Sequence, residues 1–485
     1  MGRGALWAEG LLGEDGPVID DSDATREALT RIREIDRTGP SLHAVLALNP
    51  AAEADADRLE AERAAGRVRG PLHGVPILVK DNIDMAGLAT TAGSLAMAGN
   101  VAVADAPLVT RLRAAGTVIV GKANMSEWAN FRAVGSTSGW SALGGLCRNP
   151  HALDRSAGGS SSGSGVAVAA GMVPLAIGTE TDGSITCPSA FNGVVGIKPT
   201  VGLVPGQGII PVAHSQDTFG PMATSVRDAA VLLDVLADAG GAYASACVPD
   251  GLRGARIGLP RHGMWGNSPR ADAVAEEAVR LLAAGGATIV DPADLKSIDE
   301  LGESDAEMIV LHTEFKVDVE EYLAGCAGDV PRTLAEVVRF NEDHAAEELR
   351  HFGQDRFERA LETGGYDDPA YQRAVRDCRR LGRDEGIDAA LRAHDLDALV
   401  MPTYPPAWKI DLINGDHLMP GCSRLAAIAG YPIVTLPCGE ADGLPIGLAF
   451  VGTARSEPVL IRLAHALERA LDFSLKPTFR PPETG

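Results

Sequence analysis

The 485-residue sequence has no run of about 18 apolar residues, so nothing in it reads as crossing a membrane. Its first 16 residues have no apolar h-region and already carry acids, which argues against a secretory signal and for a cytoplasmic protein. Paired cysteines are missing too. The seven, Cys147, Cys187, Cys247, Cys326, Cys378, Cys422 and Cys438, are odd in number and scattered, with no CxxC, as expected of reduced thiols. Basic charge is short: 43 Lys and Arg face 65 Asp and Glu, a net charge of −22 that disfavours nucleic acid as a partner. Aromatics are only 4%, but 45% hydrophobic and 22% charged residues are ordinary for a globular enzyme with a core needing no disulfide or metal staple. No internal repeat and no Pro/Gly/Ser linker between unlike halves is visible.

What is present is alternation. Residues 1–66 read as helices: one capped by Asp23 and running to about Arg37, and an Ala- and Glu-rich one over 50–65 between Pro50 and Gly66. From 70 to 260, apolar runs at 76–79, 117–121, 165–178, 193–199 and 254–259 alternate with helical patterns, the signature of an α/β protein. Charged helices at about 270–284 and 330–394 make 270–395 a helical cover. Strand-like runs return at 397–401, 432–436 and 445–451, and a helix at 457–471 ends the 396–485 part. The expectation is one large α/β domain over 1–485. Its centre would be a twisted mixed, mostly parallel β-sheet with helices on both faces.

The most unusual stretch is SAGGSSSGSG, 156–165. A flexible linker is one reading of such composition, but an apolar segment follows at once. A phosphate loop is another, but it needs Lys-Ser/Thr where Val166 and Ala167 stand. A catalytic serine loop is the third. GSSSG at 159–163 matches a GxSxG elbow centred on Ser161, yet 147–157 does not read as the strand an elbow requires. None of the eleven histidines sits in a context suggesting a triad base, and His394 and His417 lie in surface-like segments. A neutral lysine can activate a serine instead. Lys80 closes the apolar run Pro76–Val79, where burial would lower its pKa; it could equally snorkel to solvent or pair with Asp81 or Asp84. Ser184 follows an Asp-Gly turn in GTETDGS, which can expose backbone N–H groups for an oxyanion or be a plain turn. Cys187, three residues on, reads as a small core residue.

Together these segments resemble the amidase signature family. HGVPILVKDNIDMAGLATTAGS (73–94) is similar to its lysine segment, and AGGSSSGSGVAVAAGMVPLAIGTETDGSI (157–185) to its signature block. GVVGIKPTVGLVP (193–205) and LPIGLAFVG (444–452) resemble its later motifs, and the 24 residues between Ser160 and Ser184 match its spacing. The resemblance implies Ser184 as nucleophile, Ser160 as bridging serine held by a cis peptide bond, and Lys80 as base. It also implies oxyanion donors among the N–H groups of Thr181, Asp182, Gly183 and Ser184, with no metal or cofactor.

Most members have two glycines before the nucleophile; here Asp182-Gly183 stand there. Asp182, SEWANF (126–131), SGW (138–140), GIIPVAHSQDT (208–218) and TEFKVDVEEYL (313–323) resemble the peptide amidase branch, which removes the C-terminal amide of peptides. His214 and Tyr404-Pro405-Pro406 depart from it. Asp182 could orient a substrate N–H or merely cap its turn. Trp128, Phe131, Trp140, Tyr404 and Trp408 could line an aromatic pocket or pack in the core. The expected partner is a small-molecule or peptide amide, met by a monomer or homodimer. The rival readings are a general aliphatic or aryl amidase, the A subunit of an amidotransferase working in a tRNA-linked complex, and a catalytically silent binding protein.

Overall fold

A computed structural model describes residues 12–13, 16–17, 23–471 and 473–482. Among them, eleven strands form one sheet. They are β1 (Val45–Leu48), β2 (Pro76–Lys80), β3 (Val118–Ala123), β4 (Leu175–Glu180), β5 (Val195–Lys198), β6 (Thr218–Ala223), β7 (Arg256–Gly258), β8 (Thr288–Val290), β9 (Ala398–Pro402), β10 (Ile433–Ala441) and β11 (Leu444–Val451). Their order across the sheet is β8-β7-β9-β11-β10-β5-β6-β4-β2-β3-β1.

Parallel pairing is concentrated in two flanking blocks. One is β4-β2-β3 and the other β9-β7-β8. The strands between the blocks, and the edge strand β1, pair antiparallel. The sheet is therefore mixed, and its parallel character belongs to those blocks. An apolar run reports burial on both faces, not strand direction, and 432–436 and 445–451 are the two arms of a hairpin. Asp442 and Gly443, both at positive φ, make its turn, as Asp-Gly hairpin turns require.

Helices cover both faces. Alternation along β2 sends Ile77 and Val79 to one side, with Leu232 of α5 (Val226–Ala237), Leu282 of α6 (Pro269–Ala284) and Leu463 of α8 (Glu457–Leu471). Leu78 goes to the other, with Leu29 of α1 (Ala24–Arg31) and Val166 of α3 (Ser162–Ala169). Burying each such side chain contributes about 1.5–3 kcal/mol, which is what holds the helices to the sheet.

Several boundaries differ from the sequence reading. The N-terminal part is not all helix: between α1 and α2 (Ala52–Ala64) lies β1, pairing with β3 at the sheet edge. Asp23 stands at the N-cap of α1, but its side chain makes no capping hydrogen bond. The run 165–178 divides into the end of α3, a turn at Gly171 (φ +67) and β4. α7 (Ala306–Gly325) extends N-terminally beyond the TEFKVDVEEYL segment that marks only its second half in the sequence. No helix among the described residues is long and apolar enough to cross a membrane.

Candidate active site

The site forms where adjacent parallel strands end. β2 closes on Lys80, and its neighbour β4 closes on Glu180, so the following loop 181–184 opens beside the lysine. Ligands in α/β sheets bind at such carboxyl ends.

Lys80 is fully buried. Its Nζ lies 2.7 Å from Ser160 Oγ, 2.9 Å from Thr179 Oγ1 and 3.1 Å from the Thr179 carbonyl. Asn82 holds Thr179 in place, donating from Nδ2 to Oγ1 at 3.1 Å. Burial pushes the ammonium down to about 7, against the opposing pull of Asp217 and Glu180. Asp81 and Asp84 are occupied elsewhere: Asp81 pairs with buried Lys122 at 3.5 Å, and Asp84 accepts from the Tyr322 hydroxyl at 2.7 Å. Lys80 therefore neither snorkels nor pairs with either.

The glycine–serine segment is a packing device. The Gly159–Ser160 peptide bond is cis, and Ser160 is completely buried. A Cβ on Gly163 would stand 2.1 Å from the Ala44 carbonyl oxygen and 2.5 Å from that of Asn124, so only glycine permits this approach. The serines satisfy buried carbonyls: Ser162 Oγ donates to Gly158, Ser164 Oγ to Ile177 and Ser161 Oγ to Thr179. Ser161 also accepts from the Thr179 N–H. The elbow serine is thus engaged with backbone, away from the cavity. The linker and phosphate-loop readings fall with the same facts.

Ser161 N–H donates to the Ser184 carbonyl at 3.1 Å, which brings the two serine segments side by side. Glu180 shapes the loop after β4. Its Oε2 accepts the N–H groups of Ile185 and Thr186 at 2.6 and 2.8 Å, drawing the start of α4 (Thr186–Asn192) back over the strand end. Gly183 takes φ +81, and a Cβ there would stand 2.4 Å from Tyr404 Oη. Thr181 Oγ1 donates to Asp217 at 2.6 Å, and burial pushes that carboxyl up to about 7.

Thr181, Asp182, Gly183 and Ser184 line a cavity of about 220 Å³. Phe131, Tyr404 and Trp408 form its aromatic walls. Tyr404 Oη and Ser423 Oγ are 2.7 Å apart, and Trp408 Nε1 donates to Asp416 at 3.0 Å. Trp128 and Trp140 are not there. Trp128 sits in a core cluster edge-on to Phe357, its backbone at φ +47 turning the side chain inward. Trp140 packs against Phe352 with the Arg132 guanidinium over its ring. Cys187 is buried and borders the cavity, and burial pushes its thiol up. It is a small core residue, as expected, beside the site.

The sequence reading missed Thr179, Asn82, Asp217, Glu307, Arg356 and Asp416. Glu307 and Arg356 reach the cavity from the helical cover, far along the chain from Ser184. Glu307 accepts from Arg424 at 2.8 Å and from Gln216 at 3.2 Å; burial and the charge of Asp182 push it up to about 7. Burial likewise raises Asp182, whose Oδ1 has no hydrogen-bond partner among the described residues.

A family model described as Amidase matches residues 23–461. The chain belongs to the amidase family. This amidase is 49% identical to the peptide amidase of Stenotrophomonas maltophilia, whose crystal structure superposes with a TM-score of 0.88 over 95% of this chain and 96% of that one. It is 36% identical to a Schizosaccharomyces pombe protein described as an amidase, over 95% of this chain and 84% of the relative. It is 37% identical to the A subunit of the glutamyl-tRNA(Gln) amidotransferase of Symbiobacterium thermophilum, over 85% of this chain and 86% of the relative. With the family established, this chain is an enzyme that hydrolyses carboxylic amides.

Proposed function

We propose that this amidase removes the C-terminal amide of peptides, or the amide of amino acid amides, as ammonia, with Ser184 as nucleophile, Ser160 as relay and Lys80 as base. The observation that carries the reading is the buried 2.7 Å contact between Lys80 Nζ and Ser160 Oγ, next in the chain to Gly159, which lines the same cavity as Ser184.

The geometry suits a neutral base. An uncharged amine has two N–H donors and one lone pair. The two oxygens of Thr179 can take both donors, which leaves the lone pair for the Ser160 hydroxyl. Burial supplies the low pKa that keeps a useful fraction of Lys80 neutral near pH 7. Ser184 Oγ attacks the amide carbon; its proton passes to Ser160, and that of Ser160 to Lys80. The C–N bond breaks as the relay returns a proton to nitrogen, releasing ammonia. Water, deprotonated by the same relay, then cleaves the acyl-enzyme to the carboxylic acid and free Ser184. Backbone N–H groups of the turn from Thr181 to Ser184 are assigned to the oxyanion, with Gly183 at positive φ shaping that turn.

Substrate preference rests on Asp182. A buried carboxylate oxygen without a partner seeks a donor, and a substrate N–H entering the cavity supplies one. Phe131, Tyr404 and Trp408 give the cavity apolar surface for the group next to the amide. The 49% identity to a peptide amidase favours the same substrate class. We assign the enzyme to the cytoplasm, since its seven cysteines are all free, and take it to work as a monomer or homodimer without nucleic acid. An ammonia-release screen across amidated dipeptides, amino acid amides and aryl amides tests the reading. Turnover confined to simple aliphatic or aryl amides overturns it.

A further inference from the structure

Outside the proposed catalytic cavity, His214, Glu314 and Asp318 bring three ligand atoms within 4.8 Å of one another. His214 Nδ1 lies 3.0 Å from Asp318 Oδ2 and 3.5 Å from Glu314 Oε2. A tetrahedral zinc with bonds of about 2.0–2.1 Å separates its ligand atoms by roughly 3.3 Å, so these distances bracket a coordination edge.

The surroundings are those of a built site. Glu314 and Asp318 stand one turn apart on α7, which fixes both carboxylates on one rigid face. Both carboxylates face His214, and tyrosine hydroxyls hold their second oxygens: Tyr371 donates to Glu314 Oε1 at 2.9 Å, and Tyr366 donates to Asp318 Oδ1, which also lies 3.3 Å from His214 Nδ1. The inner oxygens are further oriented by the N–H groups of Ser215 and His214, both at 2.9 Å. Outer partners of this kind orient carboxylates in metal centres. The Glu314 side chain is wholly buried and the His214 ring half exposed, so the cluster is anchored at depth and open to an entering ion. Asp217, Asp318, His214 and Glu321 line an adjoining cavity of about 530 Å³, so two carboxylates face one imidazole with a third and fourth nearby. A protonated imidazole balances only one of the two carboxylates that face it, whereas a divalent ion bound to the neutral imidazole balances both Glu314 and Asp318.

We propose that His214, Glu314 and Asp318 form a binding site for one divalent transition-metal ion of the zinc type. The ion completes its sphere with water and takes no part in amide hydrolysis. It joins the turn carrying His214 to α7, the helix that also carries Glu307 of the catalytic cavity.

The test is titration of chelator-treated full-length enzyme with Zn²⁺ by calorimetry and with Co²⁺ by visible absorption. The wild type should bind one ion, give the intense d–d bands of low-coordinate cobalt and become more resistant to heat. Variants His214→Ala and Asp318→Asn, shown to be folded by circular dichroism, should bind about a hundredfold or more weakly. Glu321→Gln, on the neighbouring cavity wall, should bind like the wild type. Unchanged binding in both His214→Ala and Asp318→Asn, or no saturable binding by the wild type up to about 1 mM, overturns the proposal and leaves the cluster a hydrogen-bonded ion pair.

Discussion

Lys80 Nζ sits 2.7 Å from Ser160 Oγ with neither side chain in contact with solvent. Among the described residues, the Thr179 hydroxyl and backbone carbonyl complete the lysine's surroundings of hydrogen-bond acceptors. A lysine held in this way costs stability when charged and has chemistry available when neutral.

The first prediction concerns pH. In the proposed mechanism Lys80 acts as base only when neutral, and burial pushes its pKa down to about 7. The value of kcat/KM for an uncharged amide should therefore be low in acid, rise through about pH 7 and level off above it. A profile flat from pH 5 to 9, at about constant KM, would remove Lys80 from the role of base.

A second prediction trades activity for stability. The folded pKa of Lys80 lies below its ordinary value of 10.5, so the unfolded chain binds more protons between about pH 7 and 10.5 and native stability rises with pH across that window. At pH 8 the cost of keeping this lysine neutral is about 3 kcal/mol, on the order of what a buried apolar replacement would recover. Lys80→Met should thus lose activity by several orders of magnitude, yet melt at or above the wild-type temperature at pH 8, as differential scanning calorimetry would show. A large drop in melting temperature would mean that Lys80 is chiefly structural.

Thr179 supplies the third. Thr179→Val keeps the shape and the backbone carbonyl but removes the hydroxyl shared by Lys80 and Asn82. Loss of one hydrogen bond to a group that changes charge should lower kcat by about tenfold with little change in KM. Asn82→Ala should act in the same direction and more weakly, and the pair should be non-additive because both act through Lys80.

The fourth prediction separates Asp182 from the chemistry. Asp182→Asn keeps the volume and removes the carboxylate charge at a buried oxygen that has no hydrogen-bond partner among the described residues. It should lower kcat/KM for amidated dipeptides by about 10- to 100-fold, mostly through KM, while leaving labelling of Ser184 by a fluorophosphonate intact. Equal losses of labelling and turnover would place Asp182 in the nucleophile's own machinery.

How much of this was legible in the sequence follows from how local each signal is. The strand ending at Lys80 and the turn before Ser184 are written in neighbouring residues, so an apolar run and an Asp-Gly pair revealed them. Choosing among the serines of 160–164 was not possible from local texture. All of them are buried, and which hydroxyl faces Lys80 and which faces a carbonyl depends on the neighbouring strand β4. The aromatics divided for a similar reason: Phe131 and Tyr404 reached the cavity, whereas Trp128 is turned into the core by its backbone conformation. Glu307 and Arg356 were invisible because they arrive from a distant cover, through tertiary packing that no periodicity encodes. The mixed sheet was legible, but the antiparallel hairpin inside it was not, since strands buried on both faces look alike whichever way they run.

The central claim is that Ser184 cleaves a peptide amide. Its most direct measurement is ammonia release from an amidated dipeptide by purified wild-type enzyme and by Ser184→Ala. The wild type should release one ammonia for each acid formed, and the variant should be slower by at least about four orders of magnitude. A Ser184→Ala enzyme that keeps full activity would contradict the account.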